Sequence, residues 1–309
     1  MSIVIVSEGK DPSAWVDALK QARPELNLYV YPDVADKSDV TFALAWNHPP
    51  GVFQDYPNLR CISSMGAGVD HILRDTKLPE QATITRIIDE NLTQDMGEYV
   101  AAQVLNHTRT LGAYKALQQQ EKWQPLAYKR AKDVRVGIMG LGKLGAHVAT
   151  IMVGLGFNVS GWARTKKELV GVNVFFGDDT LDSFLVQADV LVCLLPLTPE
   201  TKGILNLANL RKLPQGAYVI NAARGEHVVE ADLLQALESG HLSGAALDVF
   251  EKEPLPQGHA YWSHPNVFIT PHMASKTDPT SVVPQVLENY DRLQNSEPLQ
   301  NIVSPKKGY

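Results

Sequence analysis

A buried strand that runs straight into a glycine triplet constrains this chain more than any other feature. Asp133-Val134-Arg135-Val136-Gly137-Ile138-Met139 is apolar enough to be covered on both faces, and Gly140-Leu141-Gly142-Lys143-Leu144-Gly145 follows without a gap. The next run, Ala146 to Val153, has the character of a helix. A glycine triplet alone says little, but strand, Gly-x-Gly-x-x-Gly and helix in that order open a dinucleotide-binding α/β unit. Gly140 permits the tight turn, Gly142 the approach of a pyrophosphate to the backbone, and Gly145 the close packing of helix on strand. The helix N-terminus offers N–H groups and partial positive charge to the phosphates, and Leu141, Lys143 and Leu144 ride on the same loop.

The end of the following strand discriminates between nucleotides. Phe157 to Trp162 leads into Ala163-Arg164-Thr165-Lys166-Lys167. An acid that would hold a ribose 2′-hydroxyl is expected about twenty residues after the glycines, and Ala163 stands in its place. Arg164 and Thr165, with Lys166 beside them, instead suit a 2′-phosphate, because charge-assisted bonds from a guanidinium are strong. The expectation is NADP(H) in preference to NAD(H).

A chain of 309 residues exceeds what one core usually serves, so two domains are expected. Before the glycine motif, Ile3–Val6, Leu28–Tyr31, Val40–Trp46, Leu59–Ser63 and Thr83–Ile88 read as strands, and Asp11–Gln21 as a helix with Trp15, Ala18 and Leu19 on one face. One long helix is expected over Asp95–Lys122, with Thr93 as its N-cap and Pro125 beyond its end. Alternation of strands and helices continues to about Pro271, and Pro279–Leu293 reads as a last helix. The fold class expected is therefore α/β, with two Rossmann-like, doubly wound parallel-sheet domains. If the last helix packs back on the first domain, that domain is discontinuous, comprising residues 1–97 and 277–309 around a nucleotide-binding domain of residues 98–276.

Composition excludes several function classes. The formal net charge of −6 argues against an electrostatic nucleic-acid binder. The opening Met-Ser-Ile-Val-Ile-Val-Ser has no basic n-region, and the most apolar segment, Val190–Leu197, is too short to span a bilayer. A cytoplasmic protein without membrane partners is the expectation. The two cysteines, Cys61 and Cys193, lie in apolar strand-like runs, and no Cys/His pair has zinc-ligand spacing, so no metal is expected.

Downstream, three buried strands end in polar residues that packing does not call for. Ala217 to Asn221 leads through Ala222-Ala223 to Arg224-Gly225; Ala245 to Leu247 leads to Asp248-Val249-Phe250-Glu251-Lys252-Glu253-Pro254; Val267 to Ile269 leads to Thr270-Pro271-His272. Ligands of open α/β sheets bind outside the carboxyl ends of the strands, where all three fall. Upstream, Met65-Gly66-Ala67-Gly68-Val69-Asp70 follows a strand, and the glycines open backbone N–H groups into an anion-binding concavity, with Ala67 and Gly68 as its leading donors.

This whole set, in order and spacing, resembles the D-isomer-specific 2-hydroxyacid dehydrogenases over essentially the full chain. Within that family, Met65–Asp70, Trp46-Asn47, Trp162-Ala163-Arg164 and the Lys307-Gly308-Tyr309 terminus are most similar to the glyoxylate/hydroxypyruvate reductase A branch. The resemblance implies reduction of small 2-oxo acids, glyoxylate and hydroxypyruvate above all. It makes His272 the general acid, Glu253 the carboxylate that orients it, and Arg224 the fork that holds the substrate and polarises its carbonyl. Histidine suits the role because it titrates near neutrality. Substrate contacts are implied for Trp46, Met65, Gly66, Ala67 and Gly68, and cofactor contacts for Leu195, Pro196, Ala222 and Asp248, the last beside the nicotinamide carboxamide. A homodimer built through the nucleotide-binding domains is implied too, with the helix near residues 95–122 in its interface. The remaining eight histidines (His48, His71, His107, His147, His227, His241, His259 and His264) match no catalytic motif and are read as structural or surface residues. Two other readings share these motifs: a dehydrogenase for different D-2-hydroxy acids, and a non-enzymatic nucleotide-sensing protein like the C-terminal-binding co-repressors. The want of a partner-binding extension weighs against the latter.

Overall fold

The computed structural model describes residues 1–305 and 308, so Lys307 and Tyr309 of the terminal motif lie outside the described residues. The chain divides into two compact units, Met1–Leu92 with Thr277–Tyr309, and Thr93–Lys276.

The first unit is built on five parallel strands, β1 (Ser2–Ser7), β2 (Leu28–Val30), β3 (Val40–Trp46), β4 (Cys61–Ser64) and β5 (Thr83–Thr85), in the order β2-β1-β3-β4-β5. β1 and β3 are buried along almost their whole length, as uninterrupted apolar runs must be when both sheet faces are covered. On one face, Trp15, Ala18 and Leu19 of the helix Ser13–Ala22 pack with Ile3 and Ile5. The helix Pro279–Gln294 joins the same cluster through Val282, Val286, Leu287, Tyr290 and Leu293. Its start is set by Asp278, whose carboxylate accepts the Thr280 N–H at 2.9 Å, with Pro279 in the first turn. Arg23 and Asp291 tie the two helices by paired bonds of 2.7 Å each. The C-terminal segment therefore belongs to the first unit, which is discontinuous in sequence.

The second unit carries seven parallel strands: β6 (Arg135–Met139), β7 (Asn158–Ala163), β8 (Val172–Phe176), β9 (Val190–Cys193), β10 (Ala217–Asn221), β11 (Leu242–Leu247) and β12 (Val267–Ile269). Their order is β12-β11-β10-β9-β6-β7-β8. From β6 the chain steps outward to β7 and β8, then returns to lay β9 to β12 on the other side. The direction of winding reverses between β6 and β9, and a crevice opens there at the carboxyl ends. One sheet face buries Val136, Ile138, Val192 and Ile220 against Val148 and Met152 of the helix Lys143–Gly154 and against Val100 and Val104. The other buries Leu191, Val219 and Ala245 against Phe184, Leu233 and Leu237.

The single helix expected over Asp95–Lys122 is instead two, Glu90–Thr108 and Leu111–Gln119. Thr110 between them is left-handed at φ 55°. The Thr108 hydroxyl bonds back to the Val104 carbonyl at 2.8 Å, an attachment that loosens a helix end. Leu111–Gln119 buries no residue, so no packing forces it to continue the first axis. Thr93 lies within the first helix and is not its cap; the Asp89 carboxylate takes the Leu92 N–H at 3.2 Å.

Candidate active site

The polar residues of the second unit gather along the carboxyl edge of its sheet, one loop per strand. After β6, Gly140 has φ 98°, and a Cβ there would stand 2.7 Å from the Leu194 carbonyl oxygen. A Cβ on Gly145 would lie 1.8 Å from the Gly140 carbonyl oxygen, so strand and helix meet backbone to backbone. Gly142 differs: a Cβ there meets nothing within 4 Å. The loop is thus closed on its inner side by two glycines and open on its outer side at the third, which fits a cradle for a pyrophosphate. The Leu141 side chain is buried in the core, and only its backbone can serve such a ligand. Lys143 is exposed and Leu144 partly so.

At the end of β7, Trp162 Nε1 donates to the Gly177 carbonyl at 3.0 Å and steadies the turn. Ala163 is buried, whereas Arg164, Thr165 and Lys166 are exposed. The Arg164 charge helps hold the exposed Glu200 carboxyl below its ordinary range, after bonds from the Thr198 side chain and the Glu200 backbone. In the loop after β9 Leu195 is buried, and the Pro196 carbonyl accepts from the Thr201 hydroxyl at 2.7 Å.

The loops after β10, β11 and β12 carry Arg224, Glu253 and His272. His272 Nδ1 lies 2.7 Å from Glu253 Oε2. Glu253 Oε1 accepts the Phe250 N–H at 3.0 Å. Burial alone would raise the Glu253 carboxyl, but the bonds from His272 and Phe250, with the nearby charges of His272 and Arg224, bring it below its usual range. An ionised Glu253 fixes the imidazole proton on Nδ1 and directs Nε2 away from the pair.

His272 stands at φ 51°, a left-handed conformation that residues other than glycine adopt uncommonly. Asp248 holds it there. The Asp248 carbonyl accepts the His272 N–H at 2.8 Å. Its carboxylate, on a residue only 1% exposed, accepts from the Thr270 hydroxyl at 2.6 Å, the Met273 N–H at 2.8 Å and the Ala274 N–H at 2.9 Å. Asp248 thus spends its carboxylate on the backbone that presents His272. Thr270 is itself met by the Tyr99 hydroxyl at 2.7 Å. Thr270 and Tyr99 were not among the sequence candidates; Thr270 was within reach as the first residue of the Thr-Pro-His run, Tyr99 was not.

Arg224 Nη1 donates to the Ala223 carbonyl at 2.6 Å. Ala222 is buried and Ala223 donates its N–H to the Asn221 side chain at 3.2 Å. His227, assigned from sequence to the residues without a catalytic role, is completely buried directly behind Arg224.

In the first unit, Trp46 ends β3. Its ring packs on His71 with centroids 4.8 Å apart, and Lys10 Nζ stands 3.7 Å from the ring centroid. A Cβ on Gly66 would come within 3.1 Å of the same ring. Met65 is buried in the core. The Gly66 N–H goes to Ser64 Oγ at 3.1 Å, and that hydroxyl donates to the Gly68 carbonyl at 2.7 Å. Ser64 thereby shapes the turn from within. Among the described residues no group of acids, histidines and cysteines could hold a metal ion, and no helix is long and apolar enough to cross a membrane.

Residues 101–274 match the model of the D-isomer specific 2-hydroxyacid dehydrogenase NAD binding domain. A glyoxylate/hydroxypyruvate reductase A of Escherichia fergusonii is 39% identical, with 100% of each chain covered. A crystal structure of a D-isomer specific 2-hydroxyacid dehydrogenase from Xanthobacter autotrophicus, in complex with NADPH and MES, is 41% identical with a TM-score of 0.94, covering 100% of this chain and 99% of that one. An NADPH-dependent glyoxylate/hydroxypyruvate reductase from Sinorhizobium meliloti, in complex with NADP and sulfate, is 40% identical with a TM-score of 0.94 and 100% of both chains covered. The family model spans more than half of the chain and these relatives span all of it: the chain belongs to the D-isomer-specific 2-hydroxyacid dehydrogenases.

Proposed function

We propose that this chain reduces small 2-oxo acids to D-2-hydroxy acids with NADPH, glyoxylate and hydroxypyruvate being its favoured substrates. The observation that carries the reading is the 2.7 Å contact between His272 and Glu253, set at the carboxyl edge of a sheet whose glycine loop is open at Gly142. Full-length relatives are named for this activity or contain NADPH or NADP.

Bound at the glycine loop, the dinucleotide supplies the hydride. Arg164 and Thr165, with Lys166 beside them, take the 2′-phosphate in place of the absent acid, which favours NADPH over NADH. Arg224 grips the substrate carboxylate and draws electron density toward the carbonyl oxygen. Within the first unit, the amides of Ala67 and Gly68 suit an anionic group. As hydride adds to the carbonyl carbon, the π electrons move to oxygen, which takes the proton from His272 Nε2. Glu253, ionised well below neutrality, gives the protonated ring its counter-charge. Asp248 serves this chemistry through the loop it holds, beside whatever contact it makes with the nicotinamide amide.

The protein is read as a cytoplasmic homodimer. Leu111, Tyr114, Trp123 and Tyr128 are exposed on one stretch of the second unit, Trp123 at 101%, side chains suited to being covered by a second copy. Oxidation of NADPH and NADH, followed by nicotinamide absorbance against glyoxylate, hydroxypyruvate and pyruvate, tests the reading. Fast NADPH-linked turnover of the first two supports it; turnover of none of them would overturn it.

A further inference from the structure

The Arg224 fork springs from the loop that follows β10, and the structure shows what lies behind it. His227, three residues on, is 0% exposed. The Arg224 N–H donates to its Nδ1 at 3.2 Å. The Arg224 carbonyl lies 3.1 Å from the same nitrogen, yet that oxygen already accepts the Asn221 amide at 2.8 Å and the His227 N–H at 3.2 Å. With both lone pairs engaged, the carbonyl needs no further donor. Nδ1 is therefore an acceptor, and the ring proton sits on Nε2, which faces the Pro196 carbonyl at 3.4 Å. Neighbouring strands of chain clamp the ring's own backbone: Leu205 N–H donates to the His227 carbonyl at 2.9 Å, and Gly203 N–H to the Glu226 carbonyl at 2.8 Å.

We propose that His227 is a positioning residue for Arg224, a neutral buried imidazole that fixes the arginine backbone and so aims the guanidinium at the substrate carboxylate. Burial, the largest influence on the ring, holds its basicity below the ordinary range, which keeps it neutral and keeps Nδ1 an acceptor. The inference rests on Arg224 binding substrate. It goes beyond that reading in assigning a task to a histidine outside the Arg-Glu-His set.

Side-chain isosteres separate the two ring nitrogens. In His227→Asn the amide oxygen takes the place of Nδ1 and can still accept the Arg224 N–H; in His227→Gln the amide reaches only toward Pro196; His227→Leu keeps bulk and loses both bonds. Steady-state kinetics with glyoxylate and NADPH, and NADPH affinity by fluorescence, are measured for each variant in the natural and the Arg224→Ala backgrounds. We expect His227→Leu and His227→Gln to raise KM for glyoxylate about tenfold, with a smaller change in kcat and NADPH affinity within about threefold. His227→Asn should stay within about threefold of the natural enzyme. In the Arg224→Ala background all three should be equivalent, because the group they position is gone. Retention by Gln with loss by Asn would move the role to Pro196 and overturn the proposal, as would an undiminished His227→Leu or equal losses in both backgrounds. If His227→Leu does not fold, the Asn and Gln pair decides alone. An inactive natural enzyme, or an Arg224→Ala variant with normal KM, would instead overturn the reading of Arg224.

Discussion

Gly225 offers a sharp test of how the reacting loops are held. A Cβ placed on it would stand 1.9 Å from the Phe250 carbonyl carbon, 2.1 Å from the Glu251 nitrogen and 2.3 Å from the Phe250 oxygen. The first is about 1.6 Å inside the roughly 3.5 Å at which two carbons meet without repulsion. All three atoms are backbone, so no side chain can swing aside. Gly225→Ala must therefore part the Arg224 loop from the Phe250–Glu253 loop by something over 1 Å, allowing for shared relaxation. Glu253 accepts the Phe250 N–H at 3.0 Å and meets His272 at 2.7 Å, so the displacement reaches the acid as well as the arginine. A misplacement of about 1 Å typically costs on the order of 100-fold in rate, and overpacking costs about 1–3 kcal/mol of stability. We expect kcat/KM for glyoxylate to fall by about 100-fold or more and the melting midpoint to drop by several degrees. NADPH affinity should fall much less than kcat/KM, because the glycine loop follows β6 and the clash lies between the loops after β10 and β11. A variant with kcat/KM within about threefold of the natural enzyme would refute the argument that this backbone contact sets the geometry of the site.

His272→Ala should lower kcat by about 100-fold to 10,000-fold while NADPH affinity is kept, as measured by steady-state kinetics and fluorescence titration; unchanged turnover would remove His272 from the mechanism. Arg164→Ala should raise KM for NADPH about tenfold or more and leave that for NADH nearly unchanged, and equal changes for both would mean the turn does not read the 2′-phosphate. Asp248→Asn places an amide N–H against an N–H donor of Met273 or Ala274, so both stability and kcat should fall, with a loss of about 1–3 kcal/mol in denaturant unfolding; full stability would contradict the bonding described for its carboxylate. Glu253 has a folded-state acidity stronger than its ordinary value of 4.5, so its contribution to stability is present above that value and is lost as the pH falls through the lower folded one. The thermal midpoint of the natural protein should therefore fall more steeply in acid than that of Glu253→Gln, and parallel profiles would argue against the shift.

Much of the fold was legible because its requirements are local. An apolar run long enough for a covered parallel strand, a glycine where the chain must turn at φ 98°, and an amphipathic stripe such as Trp15, Ala18 and Leu19 are all written in neighbouring residues. Arg224, Glu253 and His272 could be nominated in the same way, as polar residues that end buried strands, and Ala163 could be weighed by the acid it replaces. What neighbouring residues do not contain is the choice of partner. The break at Thr110 came from a side chain that prefers its own carbonyls and from a following helix with nothing to pack on. Met65 and Leu141 stood in functional motifs, yet their side chains belong to the cores. The bonds of the Asp248 carboxylate to Thr270, Met273 and Ala274, more than twenty residues away, arise because β11 and β12 lie side by side in register. His227 and Ser64 carried no motif at all. The residue types were set by the chain, but which hydrogen bonds they form, and which backbones touch at Gly225, was decided when strands distant in sequence paired and brought buried polar atoms to partners that no neighbouring residue supplies.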